Sequence, residues 1–190
     1  MPNIISEDDI EQAILQKLQQ HGFQLLNCYT AAADNLNDRS HRTDKRDVIL
    51  VDRLQSAALR LNPNLPAADI DRGLAQLTNN RSAMSTIAAN REIYELIRDG
   101  IPITYGASEA IEYENTQGRK EQDRIQIIDF QNQHRNEFLA VSQLWIKGEH
   151  TYRRPDILLY INGLPLVFIE LKNSNIRLQT AYDDNLNNYK

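Results

Sequence analysis

Apolar residues recur at every fourth position near the start of the chain, which is the spacing of one helix face: Ile10, Ile14 and Leu18. Ser6 is followed three residues later by Asp9, a pair that resembles a capping box at a helix start. These features predict an amphipathic helix over residues 6–20 that stops near Gly22.

The middle of the chain carries the same helical periodicity in three further segments. Residues 34–47 are polar and charged, and they predict an exposed connection before these helices. The predicted helices cover residues 46–61, 67–78 and 82–99. Pro63 ends the first helix and Gly100 closes the last one. We interpret residues 46–99 as a helical elaboration within a single domain.

Beyond residue 100 the apolar positions come in short runs that favour strands. Runs of this kind cover residues 103–105, 123–130 and 138–147. Two more runs flank Asn162-Gly163, which is the strongest local signal for a β-hairpin. Helices first and strands later predict either an α+β fold or a mixed central sheet with flanking helices.

The ends of this hairpin carry charged residues, and their facing depends on the strand register. Glu170 and Lys172 are two positions apart on one strand, so both point to one face, while Leu171 points into the core. A strict two-residue turn would leave Asp156 facing away from Glu170. A three-residue connection or one bulge would bring the two carboxylates opposite each other, and because Pro165 cannot donate to the ladder, we predict such an irregularity near the turn.

Composition limits the classes of protein that fit. The chain has 190 residues, a formal net charge of −5 and a pI of about 5.4, so it lacks the basic balance of a dedicated nucleic-acid binder. The one cysteine, Cys28, allows neither a disulfide framework nor a thiolate metal cluster. The polar, acidic N-terminus is not a signal peptide, and no apolar run is long enough to span a membrane. These features predict a cytoplasmic protein without a membrane segment.

Two carboxylates at neighbouring strand ends form an oxygen-rich site suited to Mg²⁺. Such an ion polarises a phosphodiester and lowers the pKa of a bound water. Lys172 beside Asp156 and Glu170 should keep its ammonium form, which favours charge stabilisation over a role as general base. The same pattern also fits a charged hairpin end with a surface ion pair.

Pro155-Asp156, thirteen residues and then Glu170-Leu171-Lys172 resemble the PD-(D/E)xK nuclease motif. Other stretches resemble the N-terminal region of the R (motor and endonuclease) subunit of type I restriction enzymes. They are residues 38–40, 47–50, 58–66, 128–132 and 153–174. This resemblance covers nearly the whole chain, and it implies a restriction-endonuclease-like α/β fold.

The resemblance implies roles for the hairpin residues. Asp156 and Glu170 would be the metal-binding carboxylates, with the backbone carbonyl of Leu171 as a further ligand. Lys172 would be the catalytic lysine. The implied metal is Mg²⁺, for which Mn²⁺ can substitute.

Residues outside the hairpin have counterparts in the resemblance as well. The first helix of this fold often supplies an acidic residue, for which Glu11 is our candidate and Glu7 the second choice. On spacing alone, a solvated helix position fits Glu11 better than a role as a metal ligand. The Q-x-x-x-Y element of the family corresponds to Asn185 and Tyr189, with Asn185 in place of glutamine. Tyr189 could contact DNA or simply pack as a buried aromatic residue.

Two groups of basic residues are possible phosphate contacts. Arg153 and Arg154 precede the hairpin, where they fit either a phosphate contact beside the metal or a solvated turn. A second basic stretch is diluted by aspartates and predicts a solvated loop: Arg39, His41, Arg42, Lys45 and Arg46.

The resemblance implies Mg²⁺-dependent cleavage of double-stranded DNA without sequence preference, after ATP-driven translocation. The family partners are methyltransferase and specificity subunits, and the chain itself would be a monomer or weak dimer. The chain contains no G-x-x-x-x-G-K-[ST] motif, so ATP would bind to a motor region outside it. Residues 1–190 would then be an N-terminal fragment of a longer protein. A repair-type nuclease of the same fold and a catalytically silent docking module remain as alternatives.

Overall fold

The computed structural model describes residues 6–103 and 124–172. The chain divides into two compact units, one of Met1–Leu50 with Phe138–Lys190 and one of Val51–Glu137. The described helices are α1 (Glu7–Gln20), α2 (Val51–Leu61), α3 (Ala67–Leu74) and α4 (Thr86–Asp99). The described strands are β1 (Gln24–Asn27), β2 (Ile101–Pro102), β3 (Arg124–Ile125), β4 (Phe138–Ser142), β5 (Ile146–Lys147), β6 (Tyr152–Arg153), β7 (Ile157–Ile161) and β8 (Leu164–Ile169).

The first unit contains helix α1, whose predicted start and end are confirmed. The Ser6 side chain accepts a hydrogen bond from the Asp9 backbone N–H, and the Asp9 carboxylate accepts one from the Ser6 N–H. This capping box satisfies two backbone donors at the helix start. The buried side of the helix carries Leu15 and, unusually, the carboxylate of Glu11.

A four-stranded mixed sheet forms the centre of this unit, in the order β1-β4-β7-β8. Strand β1 runs parallel to β4, and the other pairs are antiparallel, which confirms the predicted mixed sheet flanked by a helix. One core cluster joins Leu15 of α1 to Ala140 and Ile157 of the sheet. A second cluster packs Cys28, Leu50, Leu139, Val141, Leu144, Leu158 and Tyr160 together.

The predicted strand over residues 138–147 is interrupted in the structure. Gln143 has a positive φ of 59°, which breaks the extended backbone directly after β4. The chain resumes as β5, which pairs with β6 in a separate two-stranded ribbon. Trp145, predicted to lie in the middle of a strand, therefore lies in the connection, where its indole N–H donates to the Thr30 carbonyl.

The polar segment 34–47 was predicted to be an exposed, solvated loop, and for several of its residues this is wrong. Asp38, Arg42 and Lys45 are buried. The Asp38 carboxylate lies 2.7 Å from the Lys45 Nζ and 3.0 Å from an Arg42 guanidinium nitrogen. Arg42 also donates to the carbonyls of Asp47 and Trp145. Mutual pairing removes the cost of burying these charges, which hydropathy alone cannot detect.

The second unit contains the three predicted helices; α3 begins at Ala67, as predicted, and the other two begin later than the sequence predicts. Helix α2 begins at Val51 rather than near residue 46. Helix α4 begins at Thr86, where the Ser85 hydroxyl accepts from the Ala88 N–H, and its predicted apolar side is largely exposed. Gly100 follows α4 with a positive φ of 83°, as predicted.

The strand predictions for this unit are only partly correct. Strand β2 pairs antiparallel with the two-residue β3, so most of the predicted strand 123–130 is not extended. The Asp129 carboxylate accepts the backbone N–H groups of Gln131 and Asn132, which turns the chain away from the sheet direction. Of the predicted strand 103–105, only residue 103 is described, and it follows β2.

Candidate active site

The hairpin of β7 and β8 positions the predicted catalytic residues. Its turn residues Asn162 and Gly163 have φ values of 51° and 83°, as a two-residue primed turn requires. Tyr160 pairs with Pro165, but Leu159 pairs with Val167, so β8 contains one extra residue. The predicted irregularity near the turn is therefore confirmed.

This bulge sets the register at the open end of the hairpin. The last paired residues of the two strands are Ile157 and Ile169, so the next positions along the hairpin are Asp156 and Glu170. The Asp156 carboxylate accepts the backbone N–H of Leu171 at 2.6 Å, which ties the two ends together. The Leu171 side chain is buried, as predicted, and Glu170 and Lys172 are half-buried.

Glu11 is the acidic residue of α1 whose carboxylate is influenced by the charge at this end of the hairpin. Its side chain is only 7% exposed, whereas the second choice, Glu7, is exposed. Burial raises the pKa of Glu11, a hydrogen bond from Gln143 opposes that rise, and the negative charge of Asp156 adds to it. Burial is the main cause of the raised pKa of Glu11, and the nearby charge of Asp156 is a smaller one.

Gln143 is a site residue that sequence reasoning missed. Its side-chain Nε2 donates to Glu11 Oε2 at 2.7 Å, and its backbone N–H donates to the Asp156 carbonyl at 3.2 Å. The available signal was one polar residue after an apolar strand, which does not reveal a left-handed backbone. Gln143 thus links the helix carboxylate to the start of the hairpin.

The two arginines before the hairpin have different surroundings. The exposed Arg154 guanidinium lies over the rings of Trp145, at 4.9 Å, and Tyr29, at 5.7 Å. Its positive charge opposes the rise in the pKa of Glu11, so the Arg154 guanidinium lies within electrostatic reach of that carboxylate. The Nε of Arg153 is buried and has no hydrogen-bond partner among the described residues. Arg154 is therefore the better placed for contact with an anionic ligand.

Comparison with known proteins shows what kind of chain carries this site. A family model described as the type I restriction enzyme R protein N terminus matches residues 4–190. The chain belongs to this family. The hairpin with Asp156 and Glu170, helix α1 and the sheet all lie within the matched residues.

Individual relatives of this R-protein N-terminal chain agree with the family assignment. It is 32% identical over 171 residues to the type I restriction enzyme HindI endonuclease subunit of Haemophilus influenzae, covering 90% of this chain. It is 26% identical over 183 residues to a putative type I restriction enzyme MjaIXP endonuclease subunit of Methanocaldococcus jannaschii, covering 92% of this chain. The chain spans only 15% and 16% of the lengths of these two relatives.

The carboxylate and carbonyl oxygens at this candidate site meet only some of the requirements for binding a hard cation such as Mg²⁺. Within residues 6–103 and 124–172, no three His, Cys, Asp or Glu side chains are grouped so that they could hold a metal ion. Two carboxylates and a backbone carbonyl are nevertheless oxygen donors of the kind that Mg²⁺ accepts while retaining several waters. Asn185 and Tyr189 lie outside the described residues. No helix in the described part of the chain is long and apolar enough to cross a membrane.

Proposed function

We propose that this chain is the Mg²⁺-dependent endonuclease domain of a type I restriction enzyme R subunit, and that it hydrolyses DNA phosphodiester bonds. The observation that carries the proposal is the bulged register that pairs Ile157 with Ile169, after which Asp156 and Glu170 are the next residues of the two chain segments. Membership of the R-protein family and the endonuclease names of the relatives support it. The restriction-endonuclease-like fold is part of the same proposal.

Each residue of the site has a distinct role in this proposal. Asp156, Glu170 and the Leu171 carbonyl would hold the metal, with Glu11 as a further acidic group of the site. When bound, the metal supplies Lewis-acid stabilisation and a more acidic water. Lys172 stabilises the negative charge that develops in the transition state on the nonbridging oxygens of the scissile phosphate.

Arg154 would bind a phosphate of the substrate strand. Stacking on Tyr29 and Trp145 holds its guanidinium within electrostatic reach of Glu11, which lowers the entropy lost when it contacts DNA. The net charge of −5 provides little general attraction for DNA, so binding would depend on a few contacts of this kind. Phosphate contacts carry no sequence information and the family assigns recognition to other subunits, so we propose that the chain cuts double-stranded DNA without sequence preference.

The remaining activities belong to the larger protein. We infer that an ATP-driven motor region delivers DNA to this domain and that methyltransferase and specificity subunits select the target. The small share of the relatives that this chain covers is consistent with such an arrangement. Reading the gene beyond Lys190 tests it directly, because a repair-type nuclease would lack the motor.

The test of the proposed function is calorimetric titration of Mn²⁺ into the chain, followed by cleavage of supercoiled plasmid with Mg²⁺. Binding should be lost in both Asp156→Ala and Glu170→Ala and kept in Asp34→Ala, which removes an exposed acid of the same unit. Binding that survives in both site variants would contradict the metal site. A parent that neither binds Mn²⁺ nor cuts DNA would favour the docking module.

A further inference from the structure

Gln143 connects two elements that the sequence places far apart. Its amide holds the Glu11 carboxylate of helix α1, 132 positions away along the chain. Its backbone N–H holds the carbonyl of Asp156, the first acidic residue of the hairpin. One residue therefore contacts both the Glu11 carboxylate and the backbone of Asp156.

The backbone of Gln143 indicates that this placement is specified by tertiary contacts. A φ of 59° lies in the left-handed region, which glycine and asparagine adopt more readily than glutamine. On one side, Ser142 is held in the sheet by pairing with Ile157. On the other side, Leu144 is fully buried in the core. Glycine would adopt this backbone conformation at a lower energetic cost than glutamine. The presence of glutamine therefore indicates a role for its side chain.

The chemistry of the amide fits a carboxylate that must keep its charge. A lysine or arginine at this position would neutralise Glu11 by ion pairing, as Arg42 and Lys45 do for Asp38. A neutral N–H donor fixes the rotation of the carboxylate without adding a positive charge. Such a partner leaves the acidic group available to an external cation.

We propose that Gln143 is a positioning residue that fixes the Glu11 carboxylate relative to Asp156, so that helix and hairpin together present one acidic site to a divalent cation. This inference rests on the proposed function, because it names how the same site is assembled. Gln143 acts through Glu11 and is not itself a ligand.

The first experiment compares Mn²⁺ affinity, measured by calorimetry, in the parent and three variants. Gln143→Gly keeps the left-handed backbone but lacks the side-chain amide, so it should bind Mn²⁺ about tenfold more weakly than the parent. Because glycine adopts this backbone without strain, the variant should unfold at an equal or higher temperature. Gln143→Ala should lose affinity similarly. Gln143→Asn keeps an amide and tolerates the backbone, so it should recover part of the loss. Parent-like affinity in Gln143→Gly would overturn the proposal.

The second experiment is a double-mutant cycle with Glu11→Ala. If Gln143 acts through Glu11, Gln143→Gly should weaken Mn²⁺ binding in the parent and have no further effect in the Glu11→Ala background. An equal loss in both backgrounds would overturn the proposal, because Gln143 would then act elsewhere.

The same cycle, applied to denaturant unfolding without metal, separates this inference from the proposed function. The two substitutions should be non-additive by at least about twofold in the unfolding equilibrium constant. Non-additivity together with a parent that does not bind Mn²⁺ would overturn the proposed function but keep the contact. Additive substitutions would overturn the positioning role, whatever the result with Mn²⁺.

Discussion

Two groups of carboxylates in the same unit are stabilised in opposite ways. Asp38 is fully buried between Arg42 and Lys45, whose side chains are nearly as inaccessible. Burial alone would raise the pKa of Asp38, but hydrogen bonds from Lys45, Ser40 and Arg42 outweigh it and lower the pKa to about 2. At the candidate site, burial raises the pKa of Glu11, and its hydrogen-bond donor is an amide.

The difference indicates which group stabilises the fold and which can serve a ligand. Around Asp38, charges of opposite sign are already paired, and the cluster anchors residues 38–47 to the Trp145 carbonyl. At the candidate site, burial and, to a smaller extent, repulsion from the negative charge of Asp156 raise the pKa of Glu11, so both disfavour its charged form. A divalent cation would relieve that repulsion, whereas the Asp38 cluster has nothing to gain from one.

The largest expected effect is the loss of stability on breaking the Asp38 cluster. Asp38→Ala leaves two cations buried without their partner, which should lower the free energy of unfolding by about 3–5 kcal/mol. Urea unfolding followed by circular dichroism measures it, with the exposed Asp34→Ala as control. Asp156→Ala should lower the free energy of unfolding by clearly less than Asp38→Ala does, because it also relieves electrostatic repulsion of the Glu11 carboxylate. Equal losses for Asp38→Ala and Asp156→Ala would remove the distinction between the two groups.

The second prediction concerns acid pH and the Asp38 cluster. Because the pKa of Asp38 is lowered from 3.8 to about 2 in the fold, its contribution is fully present above about pH 4 and is lost as the pH falls through 2. The shift corresponds to about 2 kcal/mol. Urea unfolding of the parent between pH 2 and 6 should show this decline, and Asp38→Asn should flatten it. A slope unchanged in Asp38→Asn would assign the acid sensitivity to other carboxylates.

Sequence patterns predicted the parts of this contrast that depend on local periodicity. Helix α1 with its cap and the turn at Asn162-Gly163 follow from spacing and turn chemistry, and Pro165 was the signal for the bulge in β8. The burial of Arg42 and Lys45 could not be predicted, because polar residues in a solvated loop and in a paired buried cluster look alike in sequence. The conformation of Gln143 is likewise set by tertiary contacts that no local pattern encodes.

The third prediction tests how Arg154 is held. Arg154→Lys keeps the charge but loses planar stacking on Tyr29 and Trp145, so affinity for nonspecific duplex DNA at low salt should fall about two- to fivefold. Tyr29→Leu should produce a similar loss, and the double variant should lose little more, because both remove the same contact. Fluorescence anisotropy measures the affinity, with the exposed Arg46→Lys as control. Additive losses would mean that Tyr29 contacts DNA independently.

The smallest expected effect comes from neutralising Glu11, and its sign opposes that of Asp38. A raised pKa in the fold means that Glu11 favours folding at acid pH, and this contribution is lost as the pH rises from its ordinary value of 4.5 through the folded-state pKa. Glu11→Gln keeps a hydrogen-bond acceptor for Gln143 and removes the charge. The variant should therefore gain stability over the parent as the pH rises from 4 to 7, without metal. Urea unfolding at both pH values measures the gain, which Mn²⁺ should reverse by stabilising the parent more. A variant less stable than the parent at pH 7 without metal would show that the Glu11 charge is satisfied within the fold, as the charge of Asp38 is.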